Sequence, residues 1–299
     1  MRTLFHGSRI EVRYPEIRVQ KFHKDFFWGF YCTAMEEQAA RWSIRFGGKG
    51  VVNVYSFDDG AELTALRFPE LSDEWLDFTA ACRSGTPHGY DVVEGPMADD
   101  TIFNYVQSFL DGEISRAAFW ELARFSGPLT RSVFTPPRHW PPCGSRGVMK
   151  PMGKRNDSAL FFTCSLIEQL GRSLRKRRGD VAAELGENGV RIIYEHADVL
   201  HCEPIEKVAD DAIGEFGLTA GEYDNVGKAR YAVPDVWTMG KVYARLIEDV
   251  SGQDDVVETL LAVYTSWIDE RLSDYNAAFY YQPRDYLAEC CRQKSVLDG

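Results

Sequence analysis

Between residues 126 and 155 the chain carries six basic residues, no acidic one and six of its thirteen prolines. Proline fixes φ and lacks a backbone N–H, so a stretch this dense in it interrupts helices and central strands alike. Whatever lies on either side must build its own core. A chain of 299 residues, 44% hydrophobic and 13% aromatic, has material for two or three such cores. The segment reads as a basic, irregular linker. It divides the chain into a unit over 1–125, the Pro-rich segment over 126–155, and helical modules over 156–225 and 226–299.

The patterning differs on the two sides. Upstream, Thr3–His6, the run from Trp28 to Thr33, Val51–Phe57 and Tyr90–Val93 read as strands, the last stopped by Gly95-Pro96. Helices are predicted over 36–46, over 72–83 with Ser72 as N-cap, over 99–110, and over 115–124 with Ser115 as N-cap. Strands and helices without regular alternation indicate an α+β unit. Downstream only the helical period remains. Ser158–Lys176 places Phe161, Phe162, Leu166, Leu170 and Leu174 on one side. Further helices are predicted over 181–187 with Asp180 as cap, and over 190–196, 204–217, 235–250, 254–271 and 283–292.

Charge narrows the function classes. The net charge is −11, and only the Pro-rich segment is positive. That balance argues against broad nucleic-acid binding. The basic run Arg172–Arg178 at a helix end reads as solvated charge complementing the helix dipole. The start has no apolar signal-like region, and no run reaches the ~18 apolar residues of a membrane span. A soluble cytoplasmic protein without membrane contact is expected. Seven cysteines with no CxxC pair read as reduced thiols, and His201-Cys202 has no second pair to complete a metal site. Tyr280, Tyr281 and Tyr286 read as core residues or as an interface patch.

Taken singly, the candidate motifs are ambiguous. His6 after a short strand, Phe30-Tyr31 among apolar residues and Asp99-Asp100 at a helix start each have ordinary structural explanations. Their order is more informative. LFHGS (4–8), DFFWGFYCT (25–33), Gln38 with Trp42, VVNVYSFD (51–58), EWLDF (74–78) and YDVVEGPMADD (90–100) occur in succession. Together they resemble a family of uncharacterised bacterial domains of the ADP-ribosyltransferase clan.

That resemblance implies a split, two-sheet fold that clamps NAD as substrate, with no metal. Cleaving the nicotinamide–ribose bond develops positive charge at the ribose, so such a site must hold NAD bent and stabilise that charge. By resemblance, His6 hydrogen-bonds the adenosine ribose and the backbone of Gly7 grips the nicotinamide amide, flanked by Ser8 and Thr33. Tyr31 stacks on the nicotinamide ring, and Gly29 permits the turn that presents it. Tyr31, Asp99 and Asp100 are the candidate catalytic residues. Relatives read Asp-Phe-Gly where this chain has Asp25-Phe26-Phe27.

The family's late strand, roughly Gln-x-x-Phe-His-Thr before a leucine-rich helix, is expected soon after residue 124. Ser126–Thr135 and the Pro-rich run beyond show neither alternation nor glutamine. Residues 126–147 read either as a genuine basic loop or as an out-of-frame stretch, with the frame restored near Val148. Either way the third group of the site is missing and catalysis is impaired.

Residues 157–218 and 230–291 resemble small helical domains that accompany such transferase domains. Three functions follow as expectations: a toxin-type mono-ADP-ribosyltransferase with fused regulatory helical modules, an NAD glycohydrolase using the same site, or an inactive NAD-fold scaffold. In the last, the helical modules bind a protein partner.

Overall fold

The computed structural model describes residues 1–58, 62–98, 100–123, 131–135, 142–148, 157–252 and 254–297. Two units emerge, Met1–Pro151 with Asp198–Pro204, and Met152–Ala197 with Ile205–Gly299.

The first unit is mixed α+β. Its elements are β1 (Arg2–Ser8), β2 (Phe30–Thr33), α1 (Glu36–Ser43), β3 (Gly50–Phe57), β4 (Ala65–Arg67), α2 (Asp73–Arg83), β5 (Val92–Pro96), α3 (Asp100–Leu110), α4 (Arg116–Ala123), β6 (Arg131–Thr135) and β7 (Pro142–Val148). The strands lie in the order β4-β5-β6-β2-β1-β3-β7. Among the described residues only β4 and β5 pair parallel, and α2 lies between them in sequence, as a parallel connection requires.

Two expectations are corrected here. The segment read as carrying no strand supplies β6 and β7. β6 pairs with β5 on one side and β2 on the other, with Phe134 opposite both Val93 and Tyr31. Because β6 fills that position, the described strands form one continuous sheet and not two split ones. β5 takes in Gly95 and Pro96 and ends with them, where Tyr90–Val93 was expected. A Cβ on Gly95 would come within 3.1 Å of Phe68 and 3.2 Å of Phe26, so this glycine marks close packing inside a strand.

Small residues set how helices meet the sheet. A Cβ on Gly7 would lie 2.0 Å from the Ala39 carbonyl oxygen, and one on Gly50 would lie 2.0 Å from Ser43 Oγ. The backbone of α1 occupies the space beside Gly7, and the Ser43 and Ile44 side chains occupy that beside Gly50. The missing side chain of Gly7 thus serves helix packing, where the sequence suggested ligand approach. Ser72 caps α2 as expected, accepting from Trp75 N at 3.2 Å, and Ser115 Oγ accepts from Ala118 N at 3.2 Å.

The second unit is helical: α5 (Asp157–Leu174), α6 (Arg178–Glu195), α8 (Ile205–Phe216), α9 (Val236–Ser251), α10 (Val256–Tyr264), α11 (Trp267–Leu272), a 3₁₀ turn (Ala278–Tyr281) and α12 (Arg284–Gln293), while α7 (Ala197–Leu200) falls in the first unit from Asp198 on. α5 packs on α6, α8 and α9, and α10 packs on α6 and α9. Gly240 of α9 admits Ser165 of α5 into the space of a Cβ. Residues expected as two modules therefore share one core. The helix predicted over 254–271 is two, with Ser266 capping α11. α6 kinks at Gly186 (φ 62°), three residues before the predicted Gly189 break.

The run Arg172–Arg178 is not simply solvated charge. Arg178 is buried against Glu168 and Ser273, Arg172 Nε donates to Glu168 Oε1 at 2.7 Å, and Tyr275 Oη donates to the same oxygen at 2.6 Å. Tyr243 Oη donates to Asp269 Oδ1 at 2.6 Å, and Arg178 Nε lies 3.6 Å from that oxygen. Tyr280 is buried and Tyr281 exposed. No helix among the described residues is long and apolar enough to cross a membrane.

Candidate functional site

The turn Lys24–Phe27 leads into β2 and organises the site. Phe27 N donates to the Lys24 carbonyl at 3.0 Å, which closes the turn, and Phe27 takes φ 69°. That left-handed conformation costs a residue with a Cβ on the order of 1 kcal/mol. The turn at Phe27 is therefore held with strain that a glycine would not carry. The positive φ falls on Phe27 and not on Gly29, which corrects the role expected of that glycine. The Phe27 ring stacks on His23 at 4.9 Å and lies 4.6 Å from Trp28. Comparing Phe27→Gly with Phe27→Ala removes the ring in both and isolates the backbone. Glycine is expected to be the more stable of the pair by about 1 kcal/mol in urea melts. The usual order, alanine above glycine, would contradict the strain.

Asp25, buried in the same turn, was not singled out from sequence. Its Oδ1 accepts from Arg83 Nε at 2.8 Å and its Oδ2 from Ala98 N at 2.9 Å. Trp75 Nε1 donates to the Pro96 carbonyl at 2.9 Å. Asp25 and Trp75 together fasten the corner after β5 that leads to the candidate acids. Asp99 lies outside the described residues, and Asp100 opens α3 with a side chain that is also outside them.

His6 and Tyr31 are brought together on adjacent strands. His6 Nδ1 lies 2.7 Å from the Tyr31 carbonyl oxygen, and its ring rests on Phe30 at 4.2 Å. Burial lowers His6 to about 4, and Lys24 and Arg45 act in the same direction against the carbonyl bond. At neutral pH the ring is neutral. Since a carbonyl only accepts, Nδ1 carries the proton and Nε2 is left as an acceptor. Tyr31 Oη donates to the Phe27 carbonyl at 2.9 Å. Burial first, then Asp25 and Glu203, hold its phenol well above the usual value. Tyr31 is therefore a neutral aromatic wall and not a base.

A histidine whose folded-state value lies below its free value of 6.5 takes up its proton first in the unfolded chain. Its stabilising contribution is full above pH 6.5 and is lost as pH falls toward 4. Wild type should lose about 2 kcal/mol relative to His6→Gln between pH 7 and 5, measured by urea unfolding. Parallel pH profiles for the two proteins would contradict the assignment.

Other predicted site residues serve the scaffold. Thr33 Oγ1 donates to Gln38 Oε1 at 2.6 Å and accepts from Met35 N at 3.1 Å, at the entry to α1. Ser8 Oγ donates to the Ile10 carbonyl and accepts from Asn53 Nδ2 at 3.1 Å. Asn53 also accepts from Val12 N at 2.7 Å, pinning the chain after β1. Its polar side chain within Val51–Phe57 was the available signal.

Cations surround the aromatic wall. Lys24 Nζ lies 4.3 Å from the centre of the Tyr31 ring and 5.4 Å from Trp42, and the Arg45 guanidinium lies 4.6 Å from Trp42. Within the same unit Lys24 pairs with Glu203 and Arg41 with Asp198. Cys202 packs against the cluster that also receives Tyr31. Cys202 Sγ lies 3.7 Å from the Asp198 carbonyl oxygen. Among the described residues no three His, Cys, Asp or Glu side chains gather as a metal site.

Residues 2–138 match the model of a protein family of unknown function (DUF3990). The matched span runs from β1 through β6, so it includes the first half of the stretch that sequence alone left open as out of frame. No curated protein and no solved structure matches the chain.

Proposed function

We propose that the first unit is an NAD-holding domain of the ADP-ribosyltransferase type, with impaired catalysis. The observation that supports it best is the bridge from His6 to the Tyr31 carbonyl, which fixes a neutral imidazole on the strand next to the one that carries Tyr31. The acceptor Nε2 suits a ribose hydroxyl. The Tyr31 ring suits nicotinamide, and Lys24, Arg41 and Arg45 suit a diphosphate.

The impairment rests on β6. The strand position is retained beside β2, yet Arg131–Thr135 contains neither Glu nor Gln. An acidic or amide group that acts on developing charge typically contributes ~10²–10³ in rate. The full chain is therefore expected to release nicotinamide from labelled NAD very slowly or not at all. Robust turnover abolished by Asp100→Ala would overturn the impairment and make that aspartate the working acid. The scaffold reading gains support from the same cations, because Lys24 and Arg41 are already paired with carboxylates of the chain itself.

A further inference from the structure

The excursion Asp198–Pro204 is grouped with the first unit, although its sequence neighbours on both sides, Ala197 and Ile205, belong to the second. It brings two carboxylates to two cations. Glu203, only 4% exposed, pairs with Lys24, and Asp198 pairs with Arg41. Lys24 is the cation that lies over the Tyr31 ring, and Arg41 neighbours Trp42 in sequence. Glu203 is near enough to act on the Tyr31 phenol, and Cys202 packs on the cluster that Tyr31 joins.

Two negative groups on two cations, one of them lying over an aromatic ring, reproduce what a dinucleotide would bring there: a diphosphate next to a planar base. We infer that Lys24 and Arg41 are the diphosphate-binding groups of this site, and that Asp198–Pro204 is a built-in substitute for the diphosphate that masks them. The inference rests on the NAD reading for the identity of the ligand, but not for the existence of the masked anion site.

Displacing the mask takes a ligand that replaces what these pairs supply. The Arg41–Asp198 pair is partly exposed and contributes little, whereas Lys24–Glu203 is largely buried and Val199 and Leu200 are buried within the segment, so the segment opens as a unit and not by fraying. A diphosphate offers more charge and further acceptor oxygens to the same cations, with charge-assisted hydrogen bonds that are stronger than neutral ones. Masking lowers apparent affinity by the fraction of molecules in which the site is open. A closed form favoured about tenfold would weaken NAD about tenfold. Residues joined to the helical unit at both ends can in this way report on that unit: whatever draws 198–204 away frees the site.

The test uses the full chain, with inorganic pyrophosphate and NAD as separate probes. Asp198→Asn with Glu203→Gln keeps the shape of the segment and removes both charges. The double variant should bind both probes at least about tenfold tighter than wild type by calorimetry, and adding Lys24→Ala should remove the gain. In wild type, amide hydrogen exchange of 198–204 should quicken when pyrophosphate is added. Tighter pyrophosphate binding with unchanged NAD binding would uphold the masked anion site and remove the NAD reading. No tightening for either probe would overturn the mask. Should the double variant fail to fold, wild-type exchange decides: quickening supports the mask, and unchanged or slower exchange overturns it.

Discussion

Arg178→Ala is expected to destabilise the second unit by about 3–5 kcal/mol, because it leaves a buried carboxylate without its main partner. Arg178 and Glu168 are 3% and 2% exposed, and they join α6 to α5. Burial alone would raise the Glu168 carboxyl. The guanidinium groups of Arg178 and Arg172 outweigh it and hold Glu168 below the usual carboxylate range. Asp269 receives less compensation, so burial leaves it above that range despite Arg178 and the Tyr243 hydroxyl. Removing Arg178 therefore takes the largest favourable charge from Glu168 and worsens Asp269 together, and it removes a hydrogen bond to Ser273 Oγ as well. Arg178→Lys keeps a charge but loses the planar fork that reaches Glu168 and Ser273 at once, so it should fall between wild type and alanine. The loss should appear as an earlier cooperative helical transition in urea. A cost below about 1 kcal/mol would show that the network is not holding these helices.

Asp25→Ala should cost a similar amount in the first unit, about 3–5 kcal/mol, for a related reason. The substitution takes from the Arg83 guanidinium, which is 4% exposed, the carboxylate paired with it, and removes the acceptor of Ala98 N. Its consequences extend to the site, since Asp25 ties the turn that presents Tyr31 to the corner that leads to Asp100. A double-mutant cycle separates the pair from general damage. Arg83→Ala in the Asp25→Ala background should cost much less than it does alone, because the charge it would strand is already gone. Strict additivity would contradict the pairing.

How much of this was legible in the sequence depended on the range of each interaction. β1, β3 and α2 were readable because their signals are local: β-branched alternation between turn residues, and Ser72 three residues before Trp75. β4 has only three residues, too few to show any period. β6 and β7 were missed because basic and proline-rich composition overrode pattern, and because their stability comes from partners already in the sheet. The sheet joins β2 to a segment a hundred residues away, as Tyr31 opposite Phe134 illustrates.

The site followed the same division. His6 and Tyr31 could be named from an ordered series of motifs. Asp25 stood in that series without attracting attention, since its partner Arg83 lies 58 residues on. Arg41 reads as one more solvated helix charge until Asp198, 157 residues away, is seen against it. The turn at Phe27 was legible as a departure from glycine, but only φ revealed that the backbone had kept the glycine conformation.

NAD binding itself is the most direct test of the account. Titration of NAD into the full chain by calorimetry, up to millimolar concentration, should give saturable binding. That binding should be weak in wild type, stronger in the Asp198→Asn/Glu203→Gln variant, and reduced in both backgrounds by His6→Ala and by Tyr31→Ala. Absence of saturable binding in wild type and in the double variant alike would contradict the claim that this unit holds NAD.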